Sequence, residues 1–110
     1  MNYIWITTSF EGTHRYLDAP VEVSFLRYTH RHIFHVKVWI EVFHNDRDIE
    51  FILFKRFINE FCQDASNQNN KSCEMISDDI YSHIIQEYEG RKIKIEVSED
   101  KENGSYKEYN

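Results

Sequence analysis

Hydrophobic and polar residues alternate along this chain with two different periods, and the change between them divides it into elements. Tyr3-Ile4-Trp5-Ile6-Thr7-Thr8-Ser9-Phe10-Glu11 is dense in β-branched and aromatic residues, which predicts a strand over residues 3–11. Residues 12–31 lack a period and hold Gly12 and the only proline, Pro20, so they read as an irregular connection. A connection of that length is uncommon without a functional reason. A second strand is expected over residues 32–44. There Val36, Val38, Ile40 and Val42 share one face, and Lys37, Trp39, Glu41 and Phe43 share the other. Asn45-Asp46-Arg47-Asp48 is the turn that follows.

From about Glu50 the spacing becomes helical. Phe51, Phe54, Ile58 and Phe61 fall on one stripe, and the helix should stop near Cys62. Residues 63–72 form a polar loop that ends on Ser72, a fitting N-cap for a second helix. Ile76, Ile80 and Ile84 are that helix's apolar stripe, and Glu89-Gly90 is its expected end. Lys92 to Glu99 alternates cleanly as a third strand. Asn103-Gly104 is a hairpin signal, with Ser105–Tyr109 as a short fourth strand. The order ββααββ predicts an α+β fold: a four-stranded antiparallel sheet with both helices on one face.

The 110 residues fit a single domain, 1–110. A domain this small buries its surface incompletely, so a homo-oligomer is expected. The net charge of −6 argues against a nucleic-acid partner, because phosphate binding needs a basic surface. No apolar run is long enough to span a bilayer, and the N-terminus lacks a basic-then-apolar signal pattern, so no membrane partner and a cytoplasmic location are expected. Cys62 and Cys73 are too few for a disulfide framework and read as reduced thiols.

The chemistry concentrates at Leu26-Arg27-Tyr28-Thr29-His30-Arg31-His32-Ile33-Phe34-His35. Strand side chains two apart point the same way, so His30 and His32 can aim at one point while His35 faces away. Two imidazoles are two thirds of a three-histidine zinc site with an open coordination position. His14, at the end of the first strand, is the best third ligand, and His44 and His83 are alternatives. Arg31, between the pair, should point away from them, either to a phosphate or carboxylate or simply to solvent.

Phe10-Glu11-Gly12-Thr13-His14, His30-Arg31-His32-Ile33-Phe34, Ile49-Glu50-Phe51 with Lys55, Ser98-Glu99 and Gly104-Ser105-Tyr106 occur in an order and spacing that resembles the 6-pyruvoyltetrahydropterin synthase / 6-carboxytetrahydropterin synthase (QueD) family. The resemblance covers nearly the whole chain. It implies the tunnelling fold, in which ββααββ subunits join sheet edge to sheet edge into barrels. It also implies Zn2+ on His14, His30 and His32, holding the hydroxyls of a substrate side chain as a Lewis acid. Glu99 matches the glutamate that clamps the pterin edge, and Ser72 with Glu74 falls where the family starts a helix with Thr-x-Glu. Asp64 matches the aspartate of the family's proton-relaying Asp-His pair and is the implied catalytic residue.

Gly12 and Arg31 stand where the family has alanine and glycine, and two further departures touch the chemistry. Leu26 stands where the family has its catalytic cysteine, and Ala65 stands where it has the histidine of the relay. Neither side chain can carry a proton, and acid–base catalysis requires one that does. The expected function is therefore a zinc-binding protein of this type that binds a pterin or purine-like ligand at a subunit interface. The alternatives are an active zinc-dependent lyase acting on 7,8-dihydroneopterin triphosphate in queuosine or biopterin synthesis, and a ring-forming interaction protein without ligand.

Overall fold

The structure, a computed structural model, describes residues 1–64 and 67–110. Two long strands set its length: β1 (Asn2–His14) and β2 (His30–Val42) pair antiparallel through thirteen registers, from Asn2↔Val42 to His14↔His30. At about 3.3 Å per residue such a hairpin is roughly 43 Å long, which accounts for most of the 51 Å principal extent. β1 runs three residues past the expected end at Glu11, and β2 starts at His30, two residues before the expected start at His32. Continuous ladder pairing carries both strands through residues of weak local propensity, Gly12 among them.

The connection shrinks accordingly to residues 15–29. It contains a short 3₁₀ segment, Val21–Arg27, kinked at Val23. Arg27 ties it down by donating from Nε and Nη2 to the carbonyl of the buried Ala19, and Tyr16 N–H donates to Leu26 O at 2.7 Å.

Helix α1 (Phe51–Asp64) begins where the Glu50 carboxylate accepts from Leu53 N–H. Its buried residues are Phe54, Ile58 and Cys62, while Phe51, at the first position, is exposed and Phe61 is half-buried. Helix α2 (Cys73–Ile85) has Ser72 as its N-cap, the hydroxyl accepting from Met75 N–H, and buries the expected Ile76, Ile80 and Ile84. It ends at Ile85, short of the expected Glu89-Gly90. Tyr88 N–H closes back onto Ile84 O, and the Tyr88 ring packs edge-on against Phe54 and Phe57 of α1. Packing against α1 thus ends the helix, and Gly90 takes its positive φ in the turn beyond.

A short strand, β3 (Asn67–Asn69), pairs parallel with the end of β1 at Thr13 and His14 and adds an edge the sequence did not announce. β4 (Ile93–Glu99) pairs with β2, and β5 (Asn103–Tyr109) with β4, giving the sheet order β3-β1-β2-β4-β5. The four long strands are antiparallel and, the short β3 aside, strands and helices follow the order ββααββ expected for the α+β class. The last hairpin turns on Asp100-Lys101-Glu102, with positive φ at Asp100 and Lys101, so Asn103-Gly104 lies in β5 rather than in the turn. Gly104 has a different reason to be glycine: a Cβ there would collide with backbone, 2.7 Å from Ser98 Cα. The core lies between sheet and helices, with Phe34, Val38, Ile40, Phe54, Ile80 and Ile95 almost fully enclosed. Among the described residues no helix is long and apolar enough to cross a membrane.

His83, on α2, lies flat between Phe57 and Phe61 of α1, each ring centroid 4.4 Å away. Burial pushes its pKa below the usual value, against a weaker opposing pull from Glu87. A histidine whose folded pKa is depressed is stabilising while neutral, and that contribution falls as pH drops from its unfolded value, about 6.5, toward the folded one. Thermal unfolding should therefore show a midpoint that falls between pH 7 and pH 5. His83→Leu should flatten part of that fall; an unaltered pH profile in the variant would contradict the assignment.

Candidate metal centre

The register of the β1–β2 hairpin builds the site. His14 faces His30 directly across the ladder, and Gly12 faces His32, so no side chain stands opposite the third ring. Phe34, next along the same face of β2, supplies an apolar floor: the His14 and His32 rings meet it edge-on, with centroids 5.2 and 5.9 Å away. The three imidazoles lie 4.6, 4.9 and 5.2 Å apart by ring centroid, each nearly perpendicular to the others. One nitrogen from each ring lies within 4.8 Å of the other two, a grouping that could hold a metal ion.

The outer nitrogens are all occupied. Nδ1 of His14 lies 2.8 Å from Lys71 O, that of His30 2.8 Å from Tyr28 O, and that of His32 2.8 Å from Asp100 Oδ2. Carbonyl and carboxylate oxygens only accept, so Nδ1 is the donor in each ring, and in the neutral imidazole that leaves Nε2 as the lone-pair nitrogen. This is the arrangement in which a metal-ligating histidine is oriented and made more basic by its outer partner. The Nε2 atoms of His14 and His32 are buried and have no hydrogen-bond partner. Buried nitrogens without a partner are costly, and a cation would satisfy both. The donor set therefore fits a divalent metal, and an all-imidazole set suits zinc.

Glu99 ends β4 beside this cluster, with Oε1 3.4 Å from His14 Nε2 and Oε2 3.2 Å from His32 Nε2. Asp100, the next residue, works on the far side of His32. Besides holding Nδ1, it accepts from Ile33 N–H at 2.9 Å, and its own N–H donates to Ile33 O. The His32 ring and this amide hold its carboxyl below the ordinary aspartate range. Cys73 reaches the cluster from the first turn of α2 and donates a long S–H contact, 4.0 Å, to Glu99 Oε1. Burial, helped by the charges of Glu99 and Glu74, pushes this thiol up to about 12, so it is a neutral donor at pH 7.

A cavity of about 690 Å³ opens over the cluster, lined by His14, His30, Leu26, Ser72, Cys73 and Glu99 among others. A larger hollow of about 960 Å³ lies over the other sheet face and the β5 hairpin. It is lined by His35 and Lys37 and holds none of the three clustered histidines. The smaller cavity is the one with convergent polar groups, and that chemistry outweighs size in choosing between them.

His14, His30, His32 and Glu99 thus come together as expected, and His35 faces away. The alternative third ligands do not approach: His44 is engaged with Asp46 and Asp48 at the far end of β2, and His83 is held between phenylalanines. Ser72 caps α2 and lines the cavity in the same position. Asp64 ends α1 on the exposed surface and is not among the cavity-lining residues. Ala65 lies outside the described residues. Arg31 points away from the cluster and pairs with Glu11 at 2.9 Å, both well exposed. Leu26 lines the cavity with an apolar side chain.

Sequence reasoning missed Asp100, Cys73 and the Lys71 carbonyl. No local pattern marks them, because each reaches the site only through strand pairing or helix docking. The chain matches no protein-family model and no curated protein sequence.

Asp100→Asn can keep the bond to Ile33 N–H or accept from His32, but with a single oxygen it cannot do both. Zinc affinity, measured by competition with a chromophoric chelator, should fall about 10–100-fold. An affinity equal to that of the unaltered protein would mean that Asp100 serves the turn alone.

Proposed function

We propose that the chain is a zinc-binding protein of the 6-pyruvoyl/6-carboxytetrahydropterin synthase type that holds a pterin or purine-like heterocycle beside the metal, at an interface between subunits. The observation that carries the reading is the set of three imidazoles with every Nδ1 anchored and one nitrogen from each ring gathered above an apolar floor. His14, His30 and His32 would hold the metal, and when bound it would act as a Lewis acid toward hydroxyls on the ligand's tail. Glu99 is suited to accept from two adjacent N–H groups on the ring edge, a planar, charge-assisted pairing. The cavity volume falls in the range of small-molecule sites, which supports a ligand the size of a two-ring heterocycle with a polar tail.

Assembly into a homo-oligomer is supported by what the single chain leaves uncovered. Val21, Phe25 and Tyr28, in the connection that flanks the cavity, are 78, 69 and 76% exposed. β5 has no strand on its outer side among the described residues, and β1 has one only at Thr13 and His14. Open edges of this kind pair readily with a second copy.

One observation favours a second reading, a zinc-dependent carbon–oxygen lyase acting on 7,8-dihydroneopterin triphosphate. Leu26 cannot move a proton, but Cys73 brings a protonated thiol into the same cavity from another part of the chain. A thiol there would restore one of the two proton-carrying groups that Leu26 and Ala65 lack.

Calorimetric titration of the zinc-loaded protein with neopterin and with GMP tests the first reading. Heterocycle binding should be measurable and should weaken by about ten-fold or more in Glu99→Ala, since a charge-assisted bidentate contact is lost. Absence of binding, or indifference to the substitution, rejects it. Conversion of 7,8-dihydroneopterin triphosphate that stops in Cys73→Ser would instead establish the second.

A further inference from the structure

The contact between Glu99 and the histidines is not a hydrogen bond. With each Nδ1 donating outward, the neutral forms of His14 and His32 present their Nε2 lone pairs inward. The two Glu99 oxygens that face them carry lone pairs as well. Where both rings are neutral, two lone-pair nitrogens and two carboxylate oxygens meet in one corner, an arrangement that a shared cation would relieve. Both nitrogens count as buried without a hydrogen-bond partner although carboxylate oxygens stand 3.4 and 3.2 Å away.

His32 supplies its own comparison. On one side its ring meets the Asp100 carboxylate at 2.8 Å, the ordinary length of a charge-assisted hydrogen bond. On the other it meets Glu99 at 3.2 Å. The longer spacing has a ready meaning. Zinc bonds nitrogen and oxygen at about 2.0–2.2 Å, and two ligand atoms on a tetrahedron of that size are about 3.3–3.5 Å apart. Of the two separations at Glu99, 3.4 Å falls within that range and 3.2 Å just below it, so each oxygen stands about as far from its nitrogen as a second ligand on one ion would.

We propose that Glu99 is the fourth protein ligand of the metal site in the protein without bound heterocycle, so that the resting site is closed by three imidazoles and one carboxylate. The inference rests on the metal reading above and deepens it. The Glu99 side chain is 28% exposed, and Cys73 holds Oε1 only by a long S–H contact. A molecule that reaches the metal from the cavity has first to displace this carboxylate, and the displaced carboxylate is then available to the ring edge. One side chain would thereby couple occupancy of the cavity to opening of the metal.

Two measurements on the purified protein test this, using zinc alone and cobalt(II) with azide as probes. Zinc affinity by chelator competition should fall at least about ten-fold in Glu99→Ala, with Glu99→Gln between the two. The visible bands of the cobalt protein should resist millimolar azide in the unaltered chain and shift with azide in Glu99→Ala, where a solvent molecule replaces the carboxylate. Equal zinc affinity in all three proteins, or equal azide sensitivity, overturns the proposal. Glu99→Gln preserves side-chain volume, and its circular dichroism controls for misfolding. His14→Ala separates the two levels of the argument. If zinc binds, is lost in His14→Ala and is indifferent to Glu99→Ala, the metal reading stands and this inference alone falls. If the unaltered protein takes up no zinc, both fall.

Discussion

The register of one β-hairpin is the constraint on which the rest of this molecule depends. Sliding β1 by one residue against β2 would turn His14, Phe10 and Ile6 to the opposite face from His30, His32 and Phe34, because strand side chains alternate strictly. The same pairing buries Val36, Val38 and Ile40 against the helices. The apolar core thus fixes the register, and the register fixes the histidines. Site and fold share one cause, and the cluster needs no special loop to bring its rings together.

What the hairpin cannot do is orient the rings. That work is spread over three unrelated pieces of chain: the carbonyl of Tyr28 just before β2, the carbonyl of Lys71 before α2, and the carboxylate of Asp100 in the last turn. Each accepts a hydrogen bond from Nδ1 and so turns the other side of its ring toward the cluster. Asp100 holds its left-handed backbone conformation while it also bridges to both backbone polar groups of Ile33, so the turn and the ring it supports are stabilised together. The same three segments tie the connection, the second helix and the final hairpin to the strands. Ring orientation and local packing are therefore coupled at each of them.

The cavity above the cluster shows how chemistry can be relocated. Leu26 makes one wall apolar at the position where the resemblance to the pterin synthases calls for a thiol, while Cys73 brings a thiol from a different element. Burial keeps that thiol neutral at pH 7, a donor to Glu99. Glu99 consequently has three neighbours, two ring nitrogens and one thiol, before any ligand arrives. The proposed function depends on how that carboxylate divides itself between metal and heterocycle.

While the choice of His14 over His44 and His83 as third imidazole waited on the hairpin register, the sequence by itself determined the order of the long strands and the helices, the parity of the strand faces and the convergence of His30 with His32. These follow from local periods: two for β1 and β2, and near four for Ile76, Ile80 and Ile84. It misplaced the element ends that depend on distant partners. α2 ends at Ile85 because Tyr88 docks on α1, the last turn falls at Asp100 because Ile33 and His32 hold it there, and β3 exists through its pairing with the end of β1. Phe51 shows the same limit inside an element, since its place on the helical stripe is at an end that the core does not reach. The partners of Glu99 were likewise decided only by tertiary structure. Cys73, His32 and His14 stand far from it along the chain, and contacts at such separations leave no mark on local spacing. They settle which side chains meet.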